Sequence, residues 1–173
     1  LNLRAVIQAC REQLRWVELT ELFKGIWPYL YRTGLFADLD EFLGLWLEAA
    51  HARSDELELG RVYLQTGRLA QIRNQAELVI EFLNRAEPIL EKYGDIAGIF
   101  EIKATRAHIY QNNGNIEMAE RYAEELLLLS EDSLNAEWKC RAAYHMAGNA
   151  IYREDFKVAS KWLEKASYWA SQL

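Results

Sequence analysis

The chain has 173 residues, of which 51% are hydrophobic and 27% charged, and its formal net charge is −6. That length fits one domain with a substantial core, and the composition is globular rather than disordered. An acidic balance argues against a general nucleic-acid binder, and no apolar run approaches the roughly 20 residues that span a bilayer, so neither nucleic acid nor membrane is expected as a partner.

Helical periodicity predicts eight or nine helices and no strand. The first runs from Leu3 to Leu14 and the second from Glu18 to Arg32, with Gly34 breaking the chain after it. A third covers Asp38 to Arg53, followed by the cap candidates Ser54 and Asp55. The fourth is expected to reach Thr66 and stop at Gly67. The fifth, from Leu69 to Tyr93, is then unusually long, with Pro88 kinking or dividing it and Gly94-Asp95 closing it. A helix to Asn112 and another from Ile116 to Ser130 flank a turn at Gly114. The last pair covers Leu134 to Tyr152 and Asp155 to Ser171. Loops of a few residues make neighbouring helices antiparallel, so the fold is all-α, a series of helical hairpins in a single domain over residues 1–173.

Cys10 and Cys140 are isolated, with no C-x-x-C pair, which points to a reduced, cytoplasmic setting. The chain starts at Leu1 rather than Met and carries no signal-peptide pattern, so it is expected to be a fragment of a longer protein. Other domains of that parent chain are then among its expected partners.

The stretch "HIYQNNGNIEMAERYAEELL", residues 108–127, places small and aromatic residues at fixed offsets around a tight turn. Ala107 fills a small-residue slot, Tyr110 follows three positions later, Gly114 marks the turn and Ala119 sits in the second helix. Leu59-Gly60, Tyr63 and Gly67 repeat the first-helix pattern, and Ala147, Phe156, Ala159, Leu163 and Ala166 repeat the alternation of small and large residues. Gly67 follows Gly34 by 33 residues. These features resemble the tetratricopeptide repeat, whose period is about 34 residues. The resemblance covers residues 18–171 and implies a right-handed α-solenoid of antiparallel hairpins. Lys103 and Glu56 depart from it where the repeat often has Trp, and Glu154 replaces a turn glycine. The following turn spacings of 47 (67 to 114) and 40 (114 to 154) exceed the family period. The segment "WPYLYRTGLFADLDEFLGLWLEAAHARSD" further resembles the entry hairpin of repeat arrays in signal-transducing NTPases of the STAND class.

In tetratricopeptide arrays the first helix of each hairpin lines a concave groove. Carried onto this chain, the resemblance implies groove positions at Glu21, Lys24, Tyr31 and Arg32, then Arg61, Leu64 and Gln65. The third hairpin contributes Glu101, His108, Gln111 and Asn112, and the fourth Arg141, Tyr144 and Tyr152. Arg61 and Arg141 would pair acidic groups of a protein or peptide partner, while Tyr144 and Tyr152 supply amphipathic area. The alternative is a merely solvated polar face. Leu57 and Arg61 stand where a chaperone-binding carboxylate clamp would carry Lys and Asn, so that ligand is not expected.

His51, His108 and His145 are the only histidines and have no metal-ligand spacing. The Asp38, Asp40, Glu41 cluster reads as a helix cap rather than a cation site. No phosphate-binding, dinucleotide-binding or nucleophile-elbow motif occurs. No catalytic residue, cofactor or metal is therefore expected, and the chain reads as a non-enzyme. Trp16, Trp27, Trp46 and Trp138 fall on apolar stripes and are expected in the core. Trp162 and Trp169 either cover the last hairpin or face a further repeat. The expected function is a non-catalytic protein-protein interaction module. The alternative is a ligand-sensing regulatory domain of a larger signalling NTPase, with a pocket near the long fifth helix.

Overall fold

A computed structural model describes residues 3–33, 36–131 and 133–173, with the side chains of residues 31, 32 and 36–38 left undescribed. Among the described residues there are nine α-helices and no strand. They are α1 (Leu3–Glu12), α2 (Trp16–Thr33), α3 (Phe36–Ala52), α4 (Glu56–Ile72), α5 (Ala76–Lys92), α6 (Ile96–Asn112), α7 (Ile116–Glu131), α8 (Ala136–Tyr152) and α9 (Phe156–Ala170). No helix among the described residues is long and apolar enough to cross a membrane. The expected turn at Gly34 lies outside the described residues.

The helices are joined by one device used repeatedly. Leu14, Ser54, Asn74, Gly94, Gly114 and Glu154 all have φ between 53° and 74°, the left-handed region. Their numbers differ by 20 or 40. At Ser54 the amide donates to His51 O at 3.0 Å, and the next amide, of Asp55, donates to Ala50 O at 2.9 Å. The same two bonds recur at Leu14, Asn74, Gly114 and Glu154. This pairing satisfies carbonyls that a helix end leaves orphaned.

At four of these six joints the residue after the left-handed one caps the next helix. Asp55, Asp95, Asn115 and Asp155 each accept, through the side chain, a hydrogen bond from the amide three residues on, at 3.0–3.2 Å. Asn135, on the same twenty-residue beat, accepts from the amides of Glu137 and Trp138. One residue thus closes one helix and opens another, so three residues suffice to reverse the chain.

Two expectations fail here for a common reason. Gly67 does not stop α4 but lies buried inside it, and α4 continues to Ile72. The long fifth helix does not exist, because the chain reverses at Arg73-Asn74-Gln75 and α5 begins at Ala76. Pro88 sits within α5 without dividing it. The glycines of α4 serve close packing instead: a Cβ on Gly60 would lie 2.8 Å from Ile89 Cγ2, and one on Gly67 3.3 Å from Leu83 Cδ2. The later end of the 33-residue spacing, Gly67, is therefore a packing glycine rather than a turn. The hairpin period is 40 residues, longer than the 34 of the tetratricopeptide repeat.

The chain divides into two compact units, Leu1–Gly94 and Asp95–Leu173. In the first, Phe23, Trp27, Phe42 and Trp46 build an aromatic core, with Phe23 stacked on Trp46 at 6.2 Å between centroids. Trp16 packs partly buried against it. In the second, Phe100, Ala104, Ala107, Leu126 and Ala142 form the core, and half-buried Trp138 stacks on Phe100 at 4.5 Å. The small residues Ala147, Ala159 and Ala166 are buried as expected, but Phe156 and Leu163 are exposed. The position one period before Leu163, Ala123, is fully buried. α9 packs on α8 through its alanines, which leaves the face bearing the larger residues outward.

Candidate functional site

In the first unit the expected groove cations turn inward. Glu58, three residues after the cap Asp55, is 3% exposed. Its carboxylate accepts from Trp46 Nε1 at 3.0 Å and pairs with Lys24 Nζ at 2.9 Å and Arg61 Nη1 at 2.6 Å. Lys24 also pairs with Glu21 at 2.9 Å. Burial opposes the charge on Lys24, but the hydrogen bonds it donates to Glu21 and Glu58, with their charges, outweigh it and hold its pKa above the ordinary value. Gln65 accepts from Arg68 at 3.3 Å, and Leu64 is buried rather than groove-facing. Arg61 is therefore committed to an internal carboxylate and does not await a partner's. The side chains of Tyr31 and Arg32 lie outside the described residues.

The second unit treats its arginine alike. Arg141 on α8 makes a two-pronged ion pair with Glu101 on α6, Nη1 to Oε1 and Nη2 to Oε2, the latter at 3.0 Å. Its guanidinium also lies 5.2 Å from the Phe100 ring centroid. Gln111, expected in the groove, is buried and donates through Nε2 to Asn149 Oδ1 at 3.0 Å. Gly148 makes room for this contact, since a Cβ there would collide with the Gln111 amide. Among the described residues Asn149 Nδ2 has no partner.

His145 is buried beside this network. Burial, then the charges of Arg141 and His108, push its pKa down to about 4, so it is neutral at pH 7. What remains outward from the expected set in this unit are His108, Asn112, Tyr144 and Tyr152. His108 and Asn112, one turn apart on α6, hydrogen-bond each other at 3.0 Å. Tyr144 is 64% exposed and Tyr152 54%. The adjacent helices α6 and α8 therefore carry two amphipathic rings and two amide or imidazole groups above a scaffold of satisfied charges.

The acidic cluster of α3 is also occupied by neighbours. Arg73 donates to both oxygens of Asp40 at 2.9 and 2.7 Å, and Arg4 lies 3.5 Å from Glu41. Neither residue caps α3, which begins at Phe36, and the Asp38 side chain lies outside the description. No group of three or more His, Cys, Asp or Glu suited to a metal is gathered among the described residues.

A cavity of about 700 Å³ opens between α7, α8 and α9, with half-buried Trp162 and Trp169 on its wall. It is not beside α5, near which the alternative reading placed a ligand pocket. Periodicity alone missed Glu58, Asn149 and this cavity. Only Glu58 left a signal, an acidic residue three places after an N-cap, the spacing of a capping box.

The fold is thus an all-α chain of antiparallel helical hairpins on a 40-residue period. No protein-family model, curated protein or solved structure matches the chain.

Proposed function

We propose that the chain is a non-catalytic interaction module of the helical-repeat class, and that α6 and α8 bind a peptide or protein segment across their exposed face. The observation that carries this reading is the exposure of Tyr144, Tyr152, His108 and Asn112 while Arg141 pairs with Glu101 and Gln111 donates to Asn149 on and between the same helices. Tyr gives contact area at low entropic cost, and the imidazole and amide give adaptable hydrogen bonding. The locked arginine holds the two helices at fixed spacing and supplies no free cation. The segment that fits is therefore amphipathic and weakly charged rather than strongly acidic. The tetratricopeptide-like pattern supports a groove-binding mode, in a variant with longer hairpins. The STAND-like entry hairpin supports a cytoplasmic parent protein whose repeats regulate an NTPase, and the α7–α9 cavity is the observation that favours ligand sensing as a second reading.

The test is affinity capture with wild type and a Tyr144→Ala, Tyr152→Ala variant, compared quantitatively after circular dichroism shows equal helicity. Both tyrosines are more than half exposed, so their truncation is expected to cost under about 0.5 kcal/mol of stability. A partner held by wild type should be depleted about tenfold or more on the variant, the loss typical of aromatic anchors. Equal capture by both proteins removes the proposed face.

A further inference from the structure

The cavity between α7, α8 and α9 combines indole walls with three lysines that make no ion pair among the described residues. Its volume of about 700 Å³ lies within the usual range for small-molecule sites. Trp162 and Trp169 stand two turns apart on α9, so their rings are spaced along one side by roughly 10 Å. Lys165 Nζ lies 4.1 Å from the Trp162 ring centroid, and Lys139 Nζ, from α8, lies 4.9 Å from that of Trp169. Lys161 also borders the cavity.

Many cations elsewhere on this molecule find carboxylates, although exposed Lys157 makes no ion pair among the described residues. Arg11 pairs with Glu48, Arg73 with Asp40, Arg85 with Glu81, Lys92 with Glu56, Lys103 with Glu125 and Arg153 with Glu120. Lys139, Lys161 and Lys165 make no ion pair among the described residues, although Glu131 and Glu164 border the same cavity. In a chain of net charge −6, three ammonium groups against two carboxylates leave this aromatic cleft with a net positive lining that favours an anion. The indole faces stabilise the ammonium groups without consuming their hydrogen-bond donors. Those donors stay available to oxygen atoms of a ligand.

We propose that this cavity binds a small planar aromatic anion, its ring packed along Trp162 and Trp169 and its anionic group held by Lys139, Lys161 and Lys165. The ring requirement comes from the indoles and the charge requirement from the lysines, so neither an apolar molecule nor a bare anion fits both. The site shares no residue with the exposed face of α6 and α8, and goes beyond the peptide-binding reading.

Calorimetric titration of the full chain with adenosine monophosphate and with indole-3-acetate tests this at low salt, with inorganic phosphate and neutral indole as matched fragments. At least one aromatic anion should bind with one-to-one stoichiometry and at least tenfold more tightly than either fragment. The tighter of the two identifies a phosphate or a carboxylate as the natural anionic group. Lys139→Ala with Lys165→Ala should weaken it about tenfold or more, the loss expected for charge-assisted hydrogen bonds. Circular dichroism confirms that this variant is folded, and Trp162→Leu provides a second variant that alters the wall and leaves the lysines. The Tyr144→Ala, Tyr152→Ala protein should bind the anion as wild type does, which separates this outcome from that of the peptide-binding face. Binding of both aromatic anions no tighter than their fragments, or affinity unchanged in both cavity variants, overturns the proposal.

Discussion

Burial of His145 against Arg141 and His108 holds its pKa near 4, whereas in the unfolded chain it returns to about 6.5. Between those values the unfolded chain binds a proton that the folded chain refuses. Stability is therefore highest above pH 6.5 and falls as the pH drops toward 4, by up to about 3 kcal/mol in all. Urea unfolding at pH 7, 6, 5 and 4.5 should show a midpoint that declines steadily across this window, before most carboxylates titrate. His145→Gln should flatten the decline, and an equally steep decline in that variant would assign the acid sensitivity elsewhere. At this scale the sequence was a partial guide. It marked His108, Asn112, Tyr144 and Tyr152 as outward-facing through the repeat resemblance. It misjudged Arg141 and Gln111, because a helical pattern shows which side of a helix a residue takes but not which residue of the neighbouring helix meets it, and it misjudged Arg61, whose partner Glu58 lies one turn back on α4. The partners Glu58, Glu101 and Asn149 come from positions 3, 40 and 38 residues away.

Helices were legible as elements because their apolar residues recur at helical spacing and Asp or Asn stands at many of their starts. The α4–α5 boundary was not. The left-handed position there is taken by Asn74, and glycine occupies that position at only two of the six described joints. A reading that looks for glycine as the turn signal therefore selects Gly67, whose real role is contact with α5. This assigns opposite signs to two similar substitutions. Gly60→Ala should destabilise by about 1–3 kcal/mol, since the new methyl meets Ile89 at 2.8 Å and overpacking outweighs the gain in helix propensity. Gly25→Ala, also within a helix but with nothing within 4 Å of the added Cβ, should stabilise by about 0.5–1 kcal/mol. Thermal melts of the two variants check this directly, and destabilisation by both would mean that α2 is packed where it now stands open.

Across the described residues one rule connects sequence to candidate sites: left-handed joints are spaced by multiples of twenty residues, and at most of them the next residue caps the following helix. It sets hairpins of 40 residues, and with them which residues of α6 and α8 stand side by side. Glu101 and Arg141 are related by one such period, as are Ala123 and Leu163, which is why the first pair bonds across the repeat and the second shows where covering ends. The tetratricopeptide pattern conveyed the hairpin architecture and missed its period, because its consensus weighs small residues that pack as heavily as those that turn. The decisive measurement is backbone chemical-shift assignment of the isotopically labelled protein, which yields torsion angles residue by residue. The account predicts helix through Gly67 to Ile72, a left-handed Asn74, helix again from Ala76, and left-handed torsions at Leu14, Ser54, Gly94, Gly114 and Glu154. A helix end at Gly67 followed by one unbroken helix from Leu69 to Tyr93 would contradict it.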